Sequence, residues 1–115
     1  MRRLRILLVE DDAVLSRALA ELLAVLGHEV CGTVTTEAEA IAAALRTLPD
    51  VMLVDANLQR GSGISAMSAI LRQTAMPHIY MSGGRLGTPA NATVLHKPFD
   101  MAGLKGALDH VTARG

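Results

Sequence analysis

The sequence predicts an α/β domain built on a five-stranded, doubly wound parallel sheet. Three observations predict it. Short apolar runs alternate with longer amphipathic segments along the chain. The runs Ile6-Leu7-Leu8-Val9 and Val51-Met52-Leu53-Val54 are apolar at every position, as strands buried on both faces must be. Most of the runs lead into a turn signal and then a helical stripe, an order that implies right-handed crossovers with helices on both faces of the sheet.

After the first strand, Leu15, Leu19, Leu22 and Leu26 recur at helical spacing, and Gly27 is placed to stop that helix. Asp12, just before it, has the side chain of an N-cap. Residues 29–34 read as a second strand. A helix over 36–48 presents Ala38, Ile41, Leu45 and Leu48 on one face and ends at Pro49-Asp50. The third strand, 51–54, ends at Asp55. Residues 57–63, with Gly61 and Gly63, form a loop, and 64–73 read as a helix through Ile64, Met67 and Leu71. Pro77 opens a fourth strand, 78–81, closed by Ser82-Gly83-Gly84. Residues 85–92 carry Gly87, Pro89 and Asn91 and lack a helical stripe. A fifth strand, 93–96, precedes Lys97-Pro98-Phe99, and the last helix starts near Asp100, with Met101, Leu104, Leu108 and Val111 on one side.

With 115 residues, half of them hydrophobic, the chain is expected to be one domain spanning 1–115. Lys plus Arg and Asp plus Glu both number 11, so no phosphate-binding surface spans the molecule, and nucleic acid is not an expected partner. Cys31 alone cannot form an intramolecular disulfide, and nothing calls for an oxidising compartment. The basic start, Met1-Arg2-Arg3-Leu4-Arg5, precedes an apolar run too short for an export signal or a membrane span. The expectation is a soluble, cytoplasmic protein with no membrane partner.

In such a sheet the working site lies beyond the carboxyl ends of the strands. Those ends carry Glu10-Asp11-Asp12, Asp55, Ser82 and Lys97. Carboxylates gathered on one rim repel each other unless a cation neutralises them. Oxygen-only ligands favour a hard ion, magnesium in a site with few protein ligands, and zinc lacks its Cys and His ligands there. Carboxylates, a divalent ion and a fixed ammonium suit phosphoryl transfer, with one carboxylate as nucleophile. Asp55 fits that role because it tops an interior strand and opens a Gly-containing loop. Alone, Asp55, Lys97-Pro98 and Ser82-Gly83-Gly84 are each ordinary turn residues, and it is their combination that carries the reading. His28, His78, His96 and His110 are scattered and read as structural, as do Cys31 and Met52, Met67, Met81 and Met101, which read as packing.

Glu10-Asp11 after an apolar strand, Asp55 with Gly63 downstream, Ser82 after Pro77 and an apolar strand, and Lys97-Pro98-Phe99 together resemble bacterial response-regulator receivers of two-component systems. The resemblance covers the chain from residue 4 to the final helix and suggests a stand-alone receiver. It implies a flavodoxin-like sheet of order 2-1-3-4-5. It implies that Asp55 accepts a phosphoryl group from a histidine kinase, a histidine phosphotransfer protein or a small donor such as acetyl phosphate. Asp11 and Asp55 would bind magnesium directly, Glu10 through water and Asn57 through its backbone carbonyl. Lys97 would pair with the phosphoryl oxygens, Ser82 would turn its hydroxyl toward them, and the Lys97-Pro98 bond would be cis. Such a module assists its own phosphorylation and dephosphorylation and is not a turnover enzyme. An aspartyl-nucleophile phosphatase would need an acid at the position of Asn57, a poor proton donor.

Three departures stand out. The interval from Ser82 to Lys97 is short and rich in Gly and Pro, so the family's fourth helix, between the last two strands, is expected to be shortened or absent. Val94 stands where an aromatic switch residue is usual, and Gln59 where proline is often seen. They point to an unconventional switch or a phosphate sink. The alternative is a degenerate receiver that binds protein without phosphorylation. The kinase and the downstream protein target are unnamed by the sequence, and the final helix could support a weak homodimer in place of a monomer.

Overall fold

The computed structural model describes residues 2–84 and 87–113. Five strands, β1 (Arg5–Val9), β2 (Glu29–Val34), β3 (Val51–Asp55), β4 (His78–Ser82) and β5 (Val94–His96), alternate with α1 (Ala13–Val25), α2 (Glu37–Thr47), α3 (Gly63–Leu71) and, after β5, α4 (Met101–Thr112). The sheet order is β2-β1-β3-β4-β5, and every adjacent pair is parallel. This is the flavodoxin-like order that the family resemblance implies.

β3 is buried along its whole length, and β1 from Ile6 to Val9, because both are interior strands covered on two faces. Their side chains divide by parity. Leu7, Val9, Met52 and Val54 join Tyr80 and the buried side of α2 and α3. Ile6, Leu8, Val51 and Leu53 join Ile79, Met81, Leu95 and the Leu19–Leu23 and Leu104–Leu108 pairs of α1 and α4. Each of these fully buried aliphatic side chains contributes about 2 kcal/mol through loss of water contact. After β1 the chain moves to the β2 edge, and after β3 it moves the other way, to β4. A crevice therefore opens between the carboxyl ends of β1 and β3, where crossovers diverge.

Each described helix is capped as its sequence allows. Asp12 accepts the Val14 and Leu15 N–H groups at 3.0 and 3.1 Å, a cap worth about 1 kcal/mol. Gly27, at φ +90°, takes the left-handed turn that ends α1.

The helix faces need correction. Leu23, omitted from the leucine stripe, is with Leu19 the most deeply buried residue of α1. In α2 the buried residues are Ala40, Ala43 and Ala44; Ile41 packs at the margin of that core, Ala38 is exposed and Leu48 is 59% exposed. Alanines occupy the core face because α2 lies against both the sheet and α3, where only small side chains permit close approach. α3 ends at Leu71, short of Gln73, and buries Ile70 in place of Leu71, whose outer position leaves it half exposed. Both Ile70 and Leu71 stand at helical spacing from Met67, and only the packed sheet selects between them.

Among the described residues no helix lies between β4 and β5. The segment carries a turn in which the Ala92 N–H donates to the Pro89 carbonyl at 3.1 Å; Arg85 and Leu86 lie outside the described residues. β5 begins at Val94, one residue later than expected, although the Thr93 carbonyl still accepts the Tyr80 N–H at 2.9 Å. Cys31 and Met101 are only partly buried, whereas Met52, Met67 and Met81 are core residues. No described helix is long and apolar enough to cross a membrane.

Candidate functional site

The carboxyl ends of β1 and β3 bring Glu10, Asp11 and Asp55 together. One carboxylate oxygen from each lies within 4.8 Å of the others, although Glu10 and Asp55 are separated by two helices and a strand in sequence. Lys97, arriving from the end of β5, places its Nζ 3.1 Å from Glu10 Oε1 and 3.1 Å from Asp55 Oδ2. Two of the three carboxylates thus share this ammonium. Glu10 is 1% exposed, and burial, reinforced by Asp55, pushes its carboxyl up to about 6 despite the Asp12 N–H and Lys97 contacts. Burial pulls the Lys97 ammonium down, but its hydrogen bonds to Glu10 and Asp55 outweigh that and raise it.

The loop after β3 closes over this cluster. Asn57 donates its backbone N–H to Asp55 Oδ1 at 2.9 Å, and its own side chain is exposed. The Gln59 N–H donates to Asp11 Oδ2. Gly63 opens α3 directly beneath, its N–H bonded to the Ala56 carbonyl at 3.1 Å. A Cβ there would stand 2.0 Å from the Asp55 carbonyl oxygen, so only glycine allows α3 to approach the strand end this closely.

Ser82 is buried at the end of β4, paired in register with His96 and bonded through its carbonyl to the Lys97 N–H at 2.8 Å. Its hydroxyl donates to the Gly84 carbonyl at 3.3 Å. The Lys97-Pro98 bond is cis. Glu10, Asp11, Asp55 and Lys97 therefore meet at side-chain distance, Ser82 borders them with its hydroxyl turned into its own loop, and Asn57 enters through its backbone. Asp12 caps α1 as expected. Two contributors escaped the sequence: the Gln59 N–H, and Glu37 of α2, whose carboxylate holds the far side of the loop. Neither has a local signal, since each acts on residues far away in the chain.

The donor set fits a hard divalent cation: oxygen ligands only, crowded carboxylates and too little positive charge to balance them. A family model for the response regulator receiver domain matches residues 6–109. The chain belongs to that family. It is a receiver domain of two-component signalling, similar over 96% of its length to the transcriptional regulatory protein PdtaR of Mycobacterium tuberculosis, at 28% identity and over 57% of that protein. The receiver also matches the response regulator PhyR from Brucella abortus at TM-score 0.90 and 28% identity, covering 98% of this chain and 49% of that one. The receiver domain of Erythrobacter litoralis PhyR matches at TM-score 0.81 and 27% identity, covering 95% and 89%. The chain spans 57% or less of the length of the curated relatives it matches.

Proposed function

We propose that this receiver takes a phosphoryl group on Asp55 from a phosphohistidine donor, a histidine kinase or a histidine phosphotransfer protein, or from a small donor such as acetyl phosphate. One observation carries the reading: Lys97 Nζ stands 3.1 Å from both Glu10 and Asp55, on the rim where Asp11 completes the carboxylate cluster. An Asp55 oxygen attacks phosphorus, the bond from phosphorus to the donor nitrogen breaks, and the imidazole leaves with the electron pair. A magnesium ion held by Asp11 and Asp55 directly, by Glu10 through water and by the Asn57 carbonyl would supply charge neutralisation for the phosphoryl oxygens. Lys97 supplies the fixed positive charge that stays with those oxygens after transfer. Ser82 exchanges its bond to the Gly84 carbonyl for one to the phosphoryl group.

Output runs through protein contact or through competition for phosphate, and the module acts in the cytoplasm as a monomer or weak homodimer of one domain. Val94, half-buried against the core, cannot swing as an aromatic ring does, and the face between β4 and β5 lacks a helix among the described residues. These two features favour weak conformational output. They also sustain the second reading, a protein-binding module independent of phosphorylation.

Incubation with acetyl phosphate and magnesium, followed by intact-mass measurement, separates the two. A single phosphate adduct that disappears in Asp55→Asn supports the phosphoacceptor. No adduct with any donor, protein donors included, supports the binding module. For the switch, a large rearrangement of residues 93–96 on adding a phosphoryl mimic would contradict weak output.

A further inference from the structure

We infer that Glu37, the first residue of α2, is a positioning residue for the phosphoacceptor site, an inference that rests on the reading above. Its carboxylate uses both oxygens on the far half of the β3–α3 loop. Oε1 accepts the Ser62 N–H at 2.9 Å, and Oε2 accepts the Ser65 hydroxyl at 2.7 Å. The Glu37 backbone N–H donates to the Arg60 carbonyl at 3.1 Å. Gly61, at φ +95°, presses so close that a Cβ there would lie 2.5 Å from Glu37 Cβ.

The near half of the same loop is anchored differently. Asn57 and Gln59 donate their N–H groups to Asp55 and Asp11, two carboxylates of the cation cluster. A cation binding there draws on the same two carboxylates that hold the loop. Receivers with proline at the place of Gln59 have no N–H to offer, so this second use of Asp11 belongs to the present sequence. Leu58 packs at the margin of the core, but Asn57, Gln59, Arg60 and Gly61 are exposed, and a loop with so few buried contacts opens locally unless hydrogen bonds tie it down. The Glu37 contacts, like the Gly63–Ala56 bond and the Asn57–Ser62 bridge, use no oxygen of the cation cluster. They hold the far half of the loop, and through it the Asn57 backbone, beside the rim while Asp11 and Asp55 turn to the ion.

The test is titration calorimetry of the full chain with magnesium chloride alone, paired with amide hydrogen exchange over 57–62 and a thermal midpoint. Glu37→Ala is expected to weaken magnesium binding about tenfold, the scale on which supporting residues act on a metal site, and to speed exchange over the loop. Glu37→Gln retains a carbonyl for the Ser62 N–H and is expected to stay within about twofold of the wild type. Ser65→Ala, which removes one contact only, gives an intermediate loss and decides the matter should Glu37→Ala fail to fold. Wild-type magnesium affinity in the alanine variants, with only a lower thermal midpoint, would overturn the inference, because a simple brace between α2 and α3 does no more than that. Failure of Glu37→Gln to restore binding would overturn it as well. Absence of magnesium binding by the wild type would overturn the phosphoacceptor reading itself, a result distinguishable from either.

Discussion

The two ends of the sheet handle charge in opposite ways. At the amino-terminal end the acids are matched. Asp50 accepts the Arg5 N–H at 2.7 Å and faces the Arg2 guanidinium at 3.7 Å, and Glu29 faces Arg3 at 3.8 Å. The Arg5 guanidinium donates to the Thr47 and Leu48 carbonyls, satisfying the end of α2. At the carboxyl-terminal end three carboxylates crowd together with one lysine paired to two of them, and burial raises the Glu10 carboxyl to about 6. The first end is arranged for stability. The second holds charge in a form that the folded chain alone does not relieve, as sites that bind ions and react commonly do.

The sharpest way to break this contrast is Asp55→Asn. It is expected to abolish phosphorylation by acetyl phosphate, read by intact mass, while stabilising the metal-free protein by about 1 kcal/mol in urea denaturation, because it removes a charge from the crowded rim. Gly63→Ala attacks the same end through packing. The new methyl group meets the Asp55 carbonyl, and a loss of about 3 kcal/mol in the same denaturation assay is expected. At the quiet end, Arg5→Ala removes the two bonds to the last carbonyls of α2. It should cost about 1 kcal/mol and leave the phosphorylation rate at the wild-type value.

The smallest effects are the pH slopes, and they sharpen the comparison because they oppose each other. His28 is buried at the amino-terminal end, its Nδ1 accepting the Leu4 N–H at 3.1 Å, and burial lowers its pKa below 6.5. Its neutral form is the one the fold prefers, so its contribution is present above pH 6.5 and is lost as pH falls below it. Glu10 runs the other way. With its pKa raised from 4.5 to about 6, its contribution is present below pH 4.5 and is lost as pH rises through about 6. Urea midpoints between pH 5 and 7.5 should lose one slope in His28→Gln and the opposite slope in Glu10→Gln. Added magnesium should cancel only the second.

Much of this molecule is local information. A run of four apolar residues bounded by turn signals fits an interior strand, a Pro- and Gly-rich interval disfavours a helix, and acids or a lysine placed directly after strands arrive at one rim once the sheet is parallel. Strand order, the lack of a helix between β4 and β5 among the described residues, and the meeting of Glu10, Asp11, Asp55 and Lys97 were therefore legible from the residues and their family resemblance. Which side of α2 and α3 turns inward was not. Ile41 and Leu45 or Ala40, Ala43 and Ala44, Ile70 or Leu71, each satisfies helical spacing, and the choice falls to the space left between sheet and helices. The same holds for Glu37 and Gln59. Their hydrogen bonds join residues 25 and 48 positions apart, and such contacts exist only after the chain has closed. The sequence by itself determined which chemical groups reach the rim, because strand ends place them there. Only the tertiary structure decided how the loop above them is held, because hydrogen bonds between distant segments depend on distances that local pattern does not carry.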